Sequence, residues 1–284
     1  MKVRFLLSTQ RSGSHFLKSF IETHFANVIC SGETLENPFS PAHQAPTLST
    51  HPEVLHFWPW YKREAADGNI SGAPEKRIEA FEVYLTKLAA LTAPRDLVID
   101  TKYNSIRALS GCKDTEYGPE DFISFLTSRK IPVLHLIRKN ILRTIISYKL
   151  ARDTGVWHRT VERSSDEPLP KIRLNPKGVL LEIRYGIKLI QEYQSRFSGY
   201  PGYGEIIYEE FIQEQKYSEP GRNSRILARF LDKMPLVPSQ KTLPFKKTTP
   251  EDPSEVVENW DEVAGLLQGT NHAWMAQTPL LAAA

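Results

Sequence analysis

The 284-residue chain holds only two cysteines, Cys30 and Cys112. Thiols so sparse give neither a metal-ligand spacing nor a disulfide framework, which suits a reducing compartment and leaves both as packing residues. Long hydrophobic runs are missing too. Nothing approaches the ~20 apolar residues that span a bilayer, and no charged and apolar leader precedes the first strand, so a soluble cytoplasmic protein is expected. Excess charge is also absent: 36 Lys and Arg stand against 33 Asp and Glu, a net +3. That balance fits an anionic ligand in one pocket and is too weak to argue for nucleic acid. The eight histidines are scattered and no carboxylate cluster gathers, so no metal is expected. With no internal repeat, charge run or low-complexity block to mark a linker, residues 1–284 read as one domain.

What the chain does have is alternation. Short apolar β-type runs occur at 3–8 ("VRFLLS"), 97–100 ("LVID"), 132–137 ("PVLHLI") and 205–208 ("EIIY"). Each is followed by polar or turn residues, as buried parallel strands are. Between them lie stripes at helical spacing: Phe16, Leu17, Phe20 and Ile21; Ile78, Phe81, Leu85 and Leu88; Val179, Ile183, Ile187 and Ile190. Gly118 and Pro119 open a helix carrying Phe122, Ile123, Phe125 and Leu126, and Val256, Val257, Trp260, Val263 and Leu267 mark another. The class is α/β, a mainly parallel sheet covered by helices.

The first strand runs into "STQRSGSHFL", residues 8–17. In a strand-loop-helix unit the loop and first helical turn present unpaired N–H groups, and the helix dipole adds positive potential, so the turn can cradle an anion. Gly13 permits close approach, Ser12 and Ser14 add hydroxyl donors, and Arg11 adds a forked permanent charge suited to phosphate or sulfate oxygens. The plain alternative is a helix capped by Ser12 or Ser14 with Arg11 in solvent. A triphosphate loop would read G-x-x-x-x-G-K-[ST]; here one glycine is present and the lysine is missing, which points to a single phosphate at this turn. A second segment, "HLIRKNILRTIISYKLA" at 135–151, leaves a strand at Arg138 and enters a helix, so Arg138 and Ser147 can converge on one anion.

"QRSGSHFL" resembles the 5′-phosphosulfate loop of sulfotransferases that use 3′-phosphoadenosine 5′-phosphosulfate (PAPS), in its bacterial carbohydrate-sulfotransferase version. His15 stands where that family has Thr. The Arg138 to Ser147 segment resembles the family's 3′-phosphate motif, and "TGVWH" (154–158), "IIYEEFI" (206–212), "LARFL" (227–231) and "ENWDEVAGLLQGT" (258–270) extend the likeness over nearly the whole chain. The resemblance implies a P-loop-like three-layer αβα fold, PAPS as co-substrate, and a hydroxyl-bearing acceptor, with carbohydrate or glycolipid first. It implies Arg11, Ser12, Gly13, Ser14, His15, Arg138 and Ser147 as cofactor-binding residues. Lys246 and Lys247, in the loop 238–253, either close over the adenosine phosphates or are solvated.

For chemistry, Arg11 is the natural stabiliser of the leaving oxygen, and Lys102 in "IDTKYNS" is a second cation that either faces the sulfuryl oxygens or snorkels from a strand end. "CSGETLENPF" at 30–39 offers two carboxylates and resembles the family's G-E-x-x-E stretch, which implies Glu36 as base and Glu33 as substitute or substrate-orienting residue. Residues 40–75 suggest a lid or acceptor wall, in which Trp58, Trp60 and Tyr61 either stack on the acceptor or belong to the core; 272–284 reads as a tail. Two other functions stay open at this point: a P-loop-like small-molecule kinase, and a noncatalytic nucleotide-binding protein.

Overall fold

The computed structural model describes residues 2–35, 55–109, 120–156, 169–215, 220–234 and 250–277. Within them five strands, β1 (Val3–Ser8), β2 (Val28–Cys30), β3 (Asp96–Lys102), β4 (Val133–Ile137) and β5 (Tyr203–Ile207), form one sheet in the order β2-β3-β1-β4-β5. Every pairing is parallel. The helices are α1 (Ser14–His24), α2 (Phe57–Ala66), α3 (Arg77–Thr92), α4 (Tyr103–Leu109), α5 (Glu120–Ser128), α6 (Ile141–Thr154), α7 (Pro176–Arg196), α8 (Tyr208–Glu214), α9 (Arg222–Leu231) and α10 (Trp260–Gln268).

Strand side chains alternate between two cores because the side-chain period is two. Phe5, Leu7, Leu97, Ile99 and Val133 pack toward α2, α3, α5 and the end of α7, whereas Leu6, Val98, Leu134 and Leu136 pack toward α1, α8 and α9. A sheet buried on both faces needs apolar residues at successive positions, which is why the strands read as unbroken runs. A third cluster joins α6, α7 and α10. The layers are therefore helix, sheet, helix, with the expected P-loop-like course of a central β1 turning into α1.

Two local expectations are corrected. The strand β2 was not foreseen: three residues, "VIC", are too short to show a period, and the segment is strand only because β3 offers it partners. Val256 and Val257 are not helical. They precede α10 at a parallel bridge between Ile172 and Val257, and both are 1% exposed, so burial rather than helix drew apolar residues there.

Parallel register places the carboxyl ends of the strands together. Ser8 lies opposite Lys102 on one side and Leu136 on the other, and Ile137 lies opposite Ile207. The next residues, Thr9, Arg138 and Tyr208, thus emerge along one sheet edge, where open α/β sheets hold ligands. At the other edge the fully buried Arg4 fixes β1, donating to the carbonyls of Phe230 (2.6 Å) and Leu231 (3.1 Å) and pairing with Asp96 and Asp232 at 3.0 Å each.

One polar chain crosses the apolar side beneath α7. Tyr203 donates to Glu205 Oε1 (2.8 Å), His135 Nδ1 donates to the Tyr203 hydroxyl (2.6 Å), and Tyr103 donates to His135 Nε2. The order fixes one neutral tautomer, because the Tyr203 proton is committed to the carboxylate. Burial pushes the His135 pKa down to about 3.

Candidate functional site

The loop between β1 and α1 is shaped by two residues in left-handed backbone, Arg11 (φ 60) and Gly13 (φ 96). Ser12 donates its hydroxyl to the Thr9 carbonyl across 2.8 Å, folding the loop onto itself. Gly13 is the N-cap of α1, with no side chain capping the helix. Glycine is required twice over here: φ is positive, and a Cβ would collide with the Tyr208 ring. Neither serine caps the helix, so the plain reading of this turn fails, and Arg11 is not in solvent.

Arg11 points inward instead. Its Nε donates to Ser147 Oγ at 2.9 Å, a contact that brings the two sequence motifs together across 136 residues. Arg138 completes the joint: Nη1 donates to the Arg11 carbonyl at 2.8 Å, while Nε is buried without a partner. Burial and then the nearby charge of Arg138 push the Arg11 pKa down to about 10, against the opposing pull of Glu33. Arg143, from the first turn of α6, is 8% exposed and donates to the carbonyls of Pro250 (2.9 Å) and Glu251. Its pKa is lowered as well, by burial and then by Arg138. Three guanidinium groups thus crowd one sheet edge at a mutual electrostatic cost, which an anion there would relieve.

Beneath the loop lies a charge alternation that the sequence did not disclose. Lys102 is 2% exposed and donates to Ser8 Oγ (2.9 Å), Ser14 Oγ (2.7 Å) and Asp100 Oδ1 (2.8 Å), with Glu33 Oε1 at 3.6 Å. It does not snorkel. Its three protons are engaged, and Ser14, accepting from Lys102, is left to turn its own proton toward the loop. The other oxygen of Asp100 pairs with Lys18 at 2.9 Å, and Lys18 also donates to the Ser31 carbonyl at 3.1 Å. Burial alone would raise the Asp100 carboxyl, but Lys102 and Lys18 outweigh it and hold it far below the usual carboxylate range. Lys18 is raised, because Asp100 outweighs its burial.

Glu33 therefore sits beside the Lys102 ammonium, and the next residue ties this turn to the aromatic helix: Thr34 O accepts from Phe57 N at 2.9 Å. Trp58, Trp60 and Tyr61 of α2 are 6%, 2% and 7% exposed and pack with Phe57, Phe81 and Tyr84. Their Nε1 and hydroxyl atoms are buried without hydrogen-bond partners. His15 lies half-buried at the start of α1. Glu36, Lys246 and Lys247 lie outside the described residues, as do Cys112, Gly118, Pro119, residues 40–54 of the expected lid, 238–249 of the expected cofactor loop and 278–284 of the tail.

Neither a protein-family model nor a curated protein matches the chain. Among solved structures it is similar to the sulfotransferase domain from the curacin biosynthetic pathway, at 15% identity and TM-score 0.42 over 98% of this chain and 83% of that one. It is also similar to a sulfotransferase from Alicyclobacillus acidocaldarius, at 14% identity and TM-score 0.40 over 94% of this chain and 93% of that one. The chemistry of the site rests on its own geometry. Among the described residues no group of His, Cys, Asp and Glu could hold a metal ion, and no helix is long and apolar enough to cross a membrane.

Sequence reasoning missed Ser8, Lys18, Asp100, Arg143 and Tyr208. A signal existed for two of them. Lys18 interrupts an apolar helical stripe beside Leu17, and Asp100 interrupts an apolar strand two residues before Lys102; a charge on each of two facing buried surfaces is the pattern of an internal ion pair.

Proposed function

We propose that this chain is a single-domain PAPS-dependent sulfotransferase, working in a reducing, cytoplasmic setting on a hydroxyl-bearing acceptor, with carbohydrate or glycolipid first. One observation carries the reading. Arg138 spends one nitrogen on the carbonyl of Arg11 and keeps a buried, unpartnered Nε beside it, so two anion-binding elements share one joint and one unfilled demand for an anion. A ligand bearing two separate phosphate-type groups fits such a pair. A triphosphate does not, since the loop lacks the second glycine and the lysine that such ligands use.

In the reaction the acceptor oxygen attacks sulfur, and its proton passes to a carboxylate. The bond from sulfur to the bridging oxygen breaks, and its electron pair leaves on the 5′-phosphate of adenosine 3′,5′-bisphosphate. The carboxylate is Glu36, with Glu33 as the substitute that lies 3.6 Å from Lys102. Arg11, the loop N–H groups, Ser12, Ser14 and His15 hold the 5′-phosphosulfate, and Arg138 with Ser147 takes the 3′-phosphate. Lys102 acts from below, its ammonium balanced by Asp100 and its protons holding Ser8 and Ser14 in place under the loop. Lys246 and Lys247 close over the phosphates, while Trp58, Trp60 and Tyr61 back the acceptor side. No metal enters.

Calorimetric titration with adenosine 3′,5′-bisphosphate, ATP and Mg-ATP tests this. The bisphosphate is expected to bind tightest without metal; a preference for ATP, or indifference to the 3′-phosphate, would overturn it in favour of a kinase or a general nucleotide binder. A screen of labelled PAPS against sugar, lipid and phenol pools then identifies the acceptor.

A further inference from the structure

Tyr208 and Glu209 lie where β5 turns into α8, outside both anion motifs. Each nevertheless touches the backbone or side chain that positions Arg138. The Tyr208 ring occupies the space in front of Gly13 that a Cβ would need. Its face lies under the Arg138 guanidinium, with Cζ 5.1 Å from the ring centroid. Its edge meets Phe16 of α1 at 6.4 Å between centroids. One ring thus spans the Gly13 loop, the first helix and the Arg138 side chain.

Glu209 acts on the other side of Arg138. Its carboxylate accepts from the backbone N–H groups of Lys139 (3.1 Å) and Asn140 (3.0 Å), the two residues that follow Arg138. Asn140 in turn caps α6, accepting from Arg143 N at 3.1 Å, and donates to the Met275 carbonyl at 3.1 Å. The entry to α6 is therefore gripped by a charge-assisted pair of hydrogen bonds from β5's end. Ile207 N donates to Asn223 Oδ1 at 3.0 Å, which anchors this end of β5 to α9.

We propose that Tyr208 and Glu209 are positioning residues that fix the distance between the two anion positions and so determine specificity for a ligand carrying both phosphates. This deepens the sulfotransferase reading and rests on it. An arginine on a long flexible stem reaches many anions; one laid on an aromatic face, hydrogen-bonded at Nη1 and held by a clamped turn, reaches one place. Tyr208 supplies the face and Glu209 the turn. The aromatic ring, not the hydroxyl, is what this role needs.

The test compares affinities for adenosine 3′,5′-bisphosphate and adenosine 5′-monophosphate, by calorimetry on the full chain, in wild type, Tyr208→Phe, Tyr208→Leu and Glu209→Gln, each checked for an unchanged melting profile. The bisphosphate-to-monophosphate affinity ratio is the readout, because a general loss of folded protein lowers both affinities alike. Phe is expected to keep the ratio, whereas Leu lowers it about tenfold, the scale of a desolvated cation–π contact. Gln, which keeps shape and loses charge, is expected to lower it less. Should Leu unfold the chain, Glu209→Gln gives the answer alone. A wild-type preference that survives in both Leu and Gln variants overturns the clamp and leaves the function standing. A wild type with no preference overturns the function, and the clamp with it.

Discussion

Arg138 donates a hydrogen bond of 2.8 Å to the backbone carbonyl of Arg11, 127 residues away in sequence. The contact makes one unit of two arginines whose charges repel, and it uses a carbonyl rather than a carboxylate as the link. A carboxylate would neutralise the site; a carbonyl positions the side chain and leaves its charge for a ligand.

Removing the Arg138 side chain is therefore expected to weaken adenosine 3′,5′-bisphosphate strongly and adenosine 5′-phosphosulfate little. Titration of Arg138→Ala with both ligands checks this, and equal weakening would reassign the second motif. Ser147→Ala takes the acceptor from Arg11 Nε. A lost hydrogen bond to a charged group is worth roughly 1.5–3 kcal/mol, so about a tenfold or greater loss of bisphosphate affinity is expected.

The Arg11 guanidinium keeps its charge at every accessible pH, and burial beside Arg138 makes that charge costly in the absence of an anion. Sulfate binding at pH 8 is therefore expected to be strongly weakened in Arg11→Met; equal binding by wild type and variant would remove Arg11 from the site.

Asp100 is shared by two buried ammonium groups, Lys18 and Lys102. Asp100→Asn leaves Lys18 without its carboxylate partner and Lys102 with Glu33 alone, and is expected to cost about 3–5 kcal/mol in denaturant unfolding near neutrality. The carboxyl is depressed in the folded chain, so its contribution is present above the unfolded pKa of about 3.9 and is lost as pH falls below it. The gap between wild type and variant should accordingly narrow toward pH 3. A gap that stayed constant from pH 7 to pH 3 would contradict the buried ion pairs.

His135 is neutral in the fold and chargeable when unfolded, with a folded pKa of about 3 against roughly 6.5. Its contribution is full above pH 6.5 and declines as pH falls, by about 1.4 kcal/mol per unit at the steepest. Urea unfolding at pH 7.5 and 5.5 should show a smaller drop for His135→Gln than for wild type. Equal drops would mean that this imidazole is not what sensitises the chain to acid.

Much of this was legible in the sequence because apolar runs and turn residues announce buried parallel strands. The loop from Thr9 to Gly13 and the Arg138 to Ser147 segment both stood out in the sequence, and the fold brings them into contact through Arg11. What stayed hidden has a common cause. Asp100 and Lys18 are charged residues that sequence reasoning assigns to solvent, and only β3 packing against α1 brings them together. Tyr208 read as one aromatic in a strand; its importance comes from Gly13, nearly two hundred positions earlier. Trp58, Trp60 and Tyr61 could serve ligand or core by type alone, and the fold buries all three.

The central position of β1 sets an order of events as well as a shape. A ribosome delivers β1 and its loop before either partner strand: β1 gains one neighbour only when residue 97 and beyond have emerged, and the other only after residue 133. Tyr208, which fills the space before Gly13, follows still later. Parallel pairings at such separations carry a large loop-closure cost and form slowly. The loop after β1 is therefore made well before the residues that complete its surroundings, and it takes its final shape only once Tyr208 has followed.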